Sequence, residues 1–145
     1  MARAVTVSTV GPHSILLDCT ALSLQADERN REMLTWSQVA HATGSRLYVS
    51  AVTLAEATDG SARDANVRRE IKAMTVEPVS ELVGLLAGRR RAAASSRRKA
   101  RSLTVDAVVA ATAMTLPKPV VVLTGDPSDL ELLLDGTGIK VRRVG

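Results

Sequence analysis

The sequence predicts a three-layer α/β/α domain built on a central parallel sheet of four to five strands. Short runs rich in Val, Leu and Ile (SILL, RLYVS, VVVLT, IKVRRV) recur along the chain, and segments of helical period separate each from the next. The chain has no Phe, one Trp and one Tyr, so its core must come from Leu, Val, Ala, Ile and Met, which suits helices packed on a Val-rich sheet. Strands that alternate with helices pair in parallel and take helices on both faces. At 145 residues the chain supports one substantial core, hence a single domain over 1–145.

The elements follow in order. SILLDCTAL (14–22), bounded by Gly11-Pro12, reads as a first buried strand ending in acid. Residues 27–42 have helical spacing with Met33, Leu34, Trp36 and Val39 as the apolar face, and Gly44 stops them. RLYVS (46–50) is the second strand, followed by a short helix around 53–57 entered through a Ser or Thr cap. Residues 62–74 form an exposed amphipathic helix, TVEPV an extended link, and 80–94 a helix running into a basic segment. Residues 102–116 are Ala-rich and apolar nearly all round, so that helix is buried until Pro117 and Pro119 end it. VVVLT is the third strand, PSDLELLLDG a short helix closed by Gly136, and IKVRRV the last strand.

Charge is unevenly placed. The chain carries +4, yet Arg89, Arg90, Arg91, Arg97, Arg98, Lys99 and Arg101 fall in thirteen residues without an acid, leaving a net −3 elsewhere. Such a patch is either a contact for a phosphate backbone or a solvated face. The lone Cys19 excludes an internal disulfide and is consistent with a reducing compartment. No run approaches the ~18–20 apolar residues of a membrane span, and the N-terminus reads as mature protein, so the expected location is cytoplasmic.

Parallel sheets bind ligands beyond the carboxyl ends of their strands. Asp18 follows SILL and Asp126 follows VVVLTG, so both acids leave the sheet at one edge. Asp106 opens an otherwise apolar helix, where alone it would merely complement the helix dipole, worth ~0.3–1 kcal/mol. Glu56 in TLAEAT turns toward the same edge if RLYVS runs parallel to the first strand; alone it would be an exposed helical Glu. Carboxylates that converge without basic partners raise one another's pKa unless a cation neutralises them, and Mg²⁺, an oxygen-seeking ion that leaves room for phosphate, suits that role.

Asp18 in LLDCTAL, Glu56 in TLAEAT, Asp106 in LTVDAVVAATA and Asp126 in VVLTGDPSDL resemble the four acidic motifs of PIN domains, in order and spacing, over nearly the whole chain. The closest look is to VapC-type toxins of bacterial toxin–antitoxin systems. The resemblance implies an endoribonuclease in which Asp18, Asp106 and Asp126 hold Mg²⁺ or Mn²⁺ and Glu56 serves as ligand or water orienter. It further implies Thr20 and Thr124 as supporting groups, a homodimer, and an antitoxin that covers the acidic pocket. Asp129 departs from the pattern and either adds a ligand or opens the helix after Pro127; Cys19 is a small filler. A phosphorelay receiver would place Lys-Pro after its strand, whereas Lys118-Pro119 precedes VVVLT, and Thr20 denies the Asp-x-Asp of haloacid-type phosphatases. A non-catalytic RNA- or protein-binding module of the same fold is the alternative. His13 and His41 stand alone, with surface roles. The scarcity of aromatics disfavours grip by base stacking.

Overall fold

The computed structural model describes residues 11–94 and 103–145. Along the chain lie β1 (Ser14–Leu17), α1 (Cys19–Ala26), α2 (Arg31–Thr43), β2 (Arg46–Ser50), α3 (Ala51–Ala57), α4 (Asp64–Ile71) and β3 (Thr75–Glu77). They continue with α5 (Glu81–Ala94), α6 (Thr104–Thr115), β4 (Val120–Thr124), α7 (Pro127–Leu133) and β5 (Lys140–Arg143). The sheet has five strands in the order β3-β2-β1-β4-β5, and every neighbouring pair is parallel.

Alternation along the two inner strands assigns the layers. Leu16, Val120 and Val122 face a core closed by α5, α6 and α7, whereas Ile15, Leu17, Val121 and Leu123 face Ala21 of α1 with Met33 and Ala40 of α2. The second face continues over Leu22, Ala26, Val49 and Val67, which joins α4 to it. Strands β1 and β4, at the centre of the sheet and covered on both faces, are buried at every position. Helix α6 is the core helix of its layer, with Ala107, Val109, Ala110, Ala111, Thr112 and Ala113 buried. Among the described residues no helix is long and apolar enough to cross a membrane.

Two expectations need correction. SILLDCTAL is not one strand: β1 stops at Leu17, and Asp18 Oδ1 accepts the Ala21 amide at 2.9 Å as the N-cap of α1. The helical signal was present, since Ala21, Leu22 and Ala26 recur at helical spacing, but the continuous apolar run masked it. TVEPV is more than a link, because Thr75–Glu77 pairs with β2 as an edge strand. Elsewhere the caps follow residue chemistry: Asn30 accepts the Met33 amide, Gly44 ends α2 at φ 70°, and Ser50 accepts the Val52 amide.

Reversal of strand order beside β1 positions the site. The chain builds outward from β1 through β2 to β3, then returns to lay β4 and β5 on the other side, leaving a crevice beyond the carboxyl ends of β1 and β4. Because α6 runs back before β4, its first turn lies at that same edge. The connection after α3 is held by Asp64, which is buried and accepts the Asp59 and Gly60 amides at 3.2 and 2.7 Å. Asp64→Ala strands two amides and lowers stability by about 2–3 kcal/mol, read from chemical denaturation, with Asp64→Asn losing less.

Candidate functional site

Four chain segments deliver acids to one cleft of about 470 Å³ at the carboxyl edge of the sheet. Asp18 arrives from the end of β1, Glu56 from α3, Asp106 from the first turn of α6, and Asp126 from the turn after β4. Parallel pairing sets the first and last side by side: Leu17 is in register with Leu123, and the Asp18 amide donates to the Leu123 carbonyl at 3.0 Å.

The turn that presents Asp126 is tightly specified. Thr124 is buried, and its Oγ1 accepts the Asp126 amide at 3.1 Å while bonding the Asp126 carbonyl at 3.2 Å. Asp126 Oδ1 then accepts from Ser128 N and Oγ, capping α7. Gly125 has no side chain because Thr20 occupies the space: a Cβ there would lie 2.6 Å from Thr20 Cγ2 and 2.9 Å from its Cβ. Thr20 thus packs against the turn that aims Asp126, while Thr124 fixes its backbone.

The acids of the cleft raise one another's proton affinity. Burial, followed by the charges of Asp129, Glu56, Asp18 and Asp126, pushes the Asp106 carboxyl up to about 6. Burial and then Asp18 raise Glu56. The Cys19 thiol is raised by burial, then by Glu56 and Asp18, with a hydrogen bond to Ser23 opposing them. Asp129, in the first turn of α7, exerts the largest charge effect on Asp106, although its place in that turn also suits a helix opener.

All these donors are hard oxygens, which fits an Mg²⁺- or Mn²⁺-sized ion and an ion's need to be neutralised by several carboxylates. They are not a preassembled cage, since no three His, Cys, Asp or Glu among the described residues are set to hold a metal. The capping bonds of Asp18 and Asp126 explain part of this, because each commits one carboxylate oxygen to a helix start. The acids nonetheless share a cleft and sense one another's charge.

Other predicted residues lie elsewhere. Arg89, Arg90 and Arg91 sit on the last turns of α5, outside the cleft; Arg90 donates to the Asp135 carbonyl and Arg91 to Thr104 Oγ1. Arg97, Arg98, Lys99 and Arg101 lie outside the described residues. Among the described residues the cation that lines the cleft is Arg143, from β5, which was not among the residues expected there. Its signal was the place of IKVRRV as a parallel strand ending at the acidic edge. A second cleft, of about 460 Å³ between α1 and α4, carries mixed charge. Its two carboxylates, Asp27 and Glu28, lie among Arg29, Arg63 and Arg69, and Glu28 is paired with Arg69 at 3.2 Å, so it is not an acidic cluster.

Asp106 binds its proton more tightly in the folded chain than at its ordinary value of 3.8. Between about pH 4 and 6 folding therefore takes up a proton, and the stability tied to this group falls as pH rises through that window. In chelator, thermal melts from pH 4 to 8 lose more stability for the native chain than for Asp106→Asn. Adding Mn²⁺ at pH 7.5 restores it in the native chain and much less in the variant.

No protein-family model matches this sequence, and no curated protein matches it. Among solved structures, it matches a chain in the crystal structure of VapBC2 from Rickettsia felis bound to a DNA fragment from their promoter. The TM-score is 0.69 at 10% sequence identity, over 91% of this chain and 99% of that one. At that identity the likeness is one of fold, and together with the five-stranded parallel sheet between two helical layers it gives the chain a three-layer α/β/α PIN-like fold.

Proposed function

We propose that this protein is a metal-dependent endoribonuclease, the toxin of a toxin–antitoxin pair. One observation carries the reading: Asp18, Glu56, Asp106 and Asp126 reach one open cleft from four parts of the chain, and burial, then the charges of Asp129 and the other acids, raises Asp106 to about 6. A fold needs no such cluster for stability, since a carboxyl whose proton affinity is raised opposes folding near neutral pH.

Asp18, Asp106 and Asp126 would hold Mg²⁺ or Mn²⁺, with Glu56 beside them and Asp129 as a weaker contributor. When bound, such an ion supplies Lewis-acid stabilisation of phosphate charge and lowers the pKa of water. Glu56 lies at the cleft wall with a raised proton affinity, which suits it to take the proton of the attacking water. Attack at phosphorus forms the bond to the water oxygen and breaks the bond to the ribose oxygen on the far side, which takes a proton from solvent as it leaves. Thr124 holds the Asp126 backbone and Thr20 buttresses the turn, so both act by positioning.

The R. felis match is a VapBC2 complex, which supports an antitoxin partner for this chain. A homodimer and a cytoplasmic setting complete the reading. The rival, a binding module of the same fold, leaves the four-acid convergence without a role. The test follows cleavage of structured and unstructured RNA in Mg²⁺, Mn²⁺ or chelator. The native chain cuts only with metal, and Asp18→Asn and Asp106→Asn each lower the rate by at least about 100-fold while staying folded. Full activity of either variant, or cutting in chelator, overturns the assignment.

A further inference from the structure

The cleft's charge raises a problem that the acids do not solve. A negatively charged phosphodiester must approach a cleft lined by four carboxylates. A cationic side chain at the cleft favours that approach, and two of the basic segment's described arginines are directed elsewhere, Arg90 to the Asp135 carbonyl and Arg91 to Thr104.

Arg143 is placed to supply one. It lines the cleft and stands in register opposite Thr124, two residues before Asp126. Alternation along β5 puts it on the side of Val141, which packs with the α6 layer that carries Asp106. Its backbone is anchored: the next residue, Val144, is buried and donates to the Thr124 carbonyl at 2.8 Å, and the Gly145 amide donates to Glu32 at 2.7 Å. Arg143 itself is exposed, and the ion pairs among the described residues join Arg63 to Asp59 and Arg69 to Glu28 and Glu70. A fixed base with a guanidinium at the rim matches bidentate capture of phosphate oxygens.

We infer that Arg143 grips the RNA phosphate at the mouth of the acidic cleft, making the end of β5 part of the substrate-binding site. This rests on the ribonuclease reading. The experiment compares the native chain with Arg143→Gln and Arg143→Lys on one RNA oligonucleotide that the native chain cleaves. Arg143→Gln raises KM about 10-fold or more with kcat within about 3-fold, and lowers the slope of log KM against log salt by about 0.7, one phosphate contact on a single strand. Arg143→Lys recovers part of the KM and the slope. Mn²⁺-induced thermal stabilisation stays at the native level in both variants.

Native KM and salt slope in Arg143→Gln overturn the inference. So does loss of Mn²⁺-induced stabilisation, which would make Arg143 a support of the acids. A native chain that cleaves no RNA and binds none overturns the ribonuclease reading and this inference with it; native cleavage with an indifferent Arg143→Gln overturns this inference alone.

Discussion

The site depends on the parallel pairing of β1 with β4. That pairing sets Leu17 beside Leu123, joins the Asp18 amide to the Leu123 carbonyl, and brings two chain segments more than a hundred residues apart to one crevice. A one-residue slip would turn Ile15, Leu17, Val121 and Leu123 into the wrong layer, so the apolar alternation that builds the core also fixes where the acids emerge. Asp106 depends on the same pairing at one remove, because α6 must run back across the sheet before β4 begins.

The cleft also shows how one residue serves fold and chemistry at once. Asp18 and Asp126 cap the helices that leave the sheet, so each uses one carboxylate oxygen to satisfy backbone amides. Capping holds these acids at the crevice before any ion arrives. The opposing cost appears at Asp106, where burial and neighbouring charges favour the protonated form. In the proposed reading a cation would relieve that cost, which would couple its binding to folding through the same carboxylates.

Much of this was legible in the sequence because it rested on period and on punctuation. VVVLT, RLYVS and the apolar helix around Asp106 declared themselves by composition, and their alternation implied parallel pairing, which alone puts Asp18 and Asp126 at one edge. The strand–helix break at Asp18 was obscured because SILL and the buried face of α1 form one apolar run, and β3 was obscured by its brevity. Thr20 against Gly125 and Arg143 against Thr124 are tertiary contacts, set by how elements dock rather than by any local pattern. The basic segment drew attention by its density of charge, yet Arg90 and Arg91 bond to the turn after α7 and to α6, and among the described residues the arginine that lines the cleft comes from β5.

The central claim is that these acids are a cation site, and a crystal grown in Mn²⁺ tests it most directly through anomalous scattering. The account predicts a peak within roughly 2.0–2.3 Å of carboxylate oxygens from Asp18 and Asp106, with the Asp126 or Asp129 side chain turned toward it. An empty cleft at saturating Mn²⁺, or a peak confined to other acids such as Asp27 and Glu28, would contradict it.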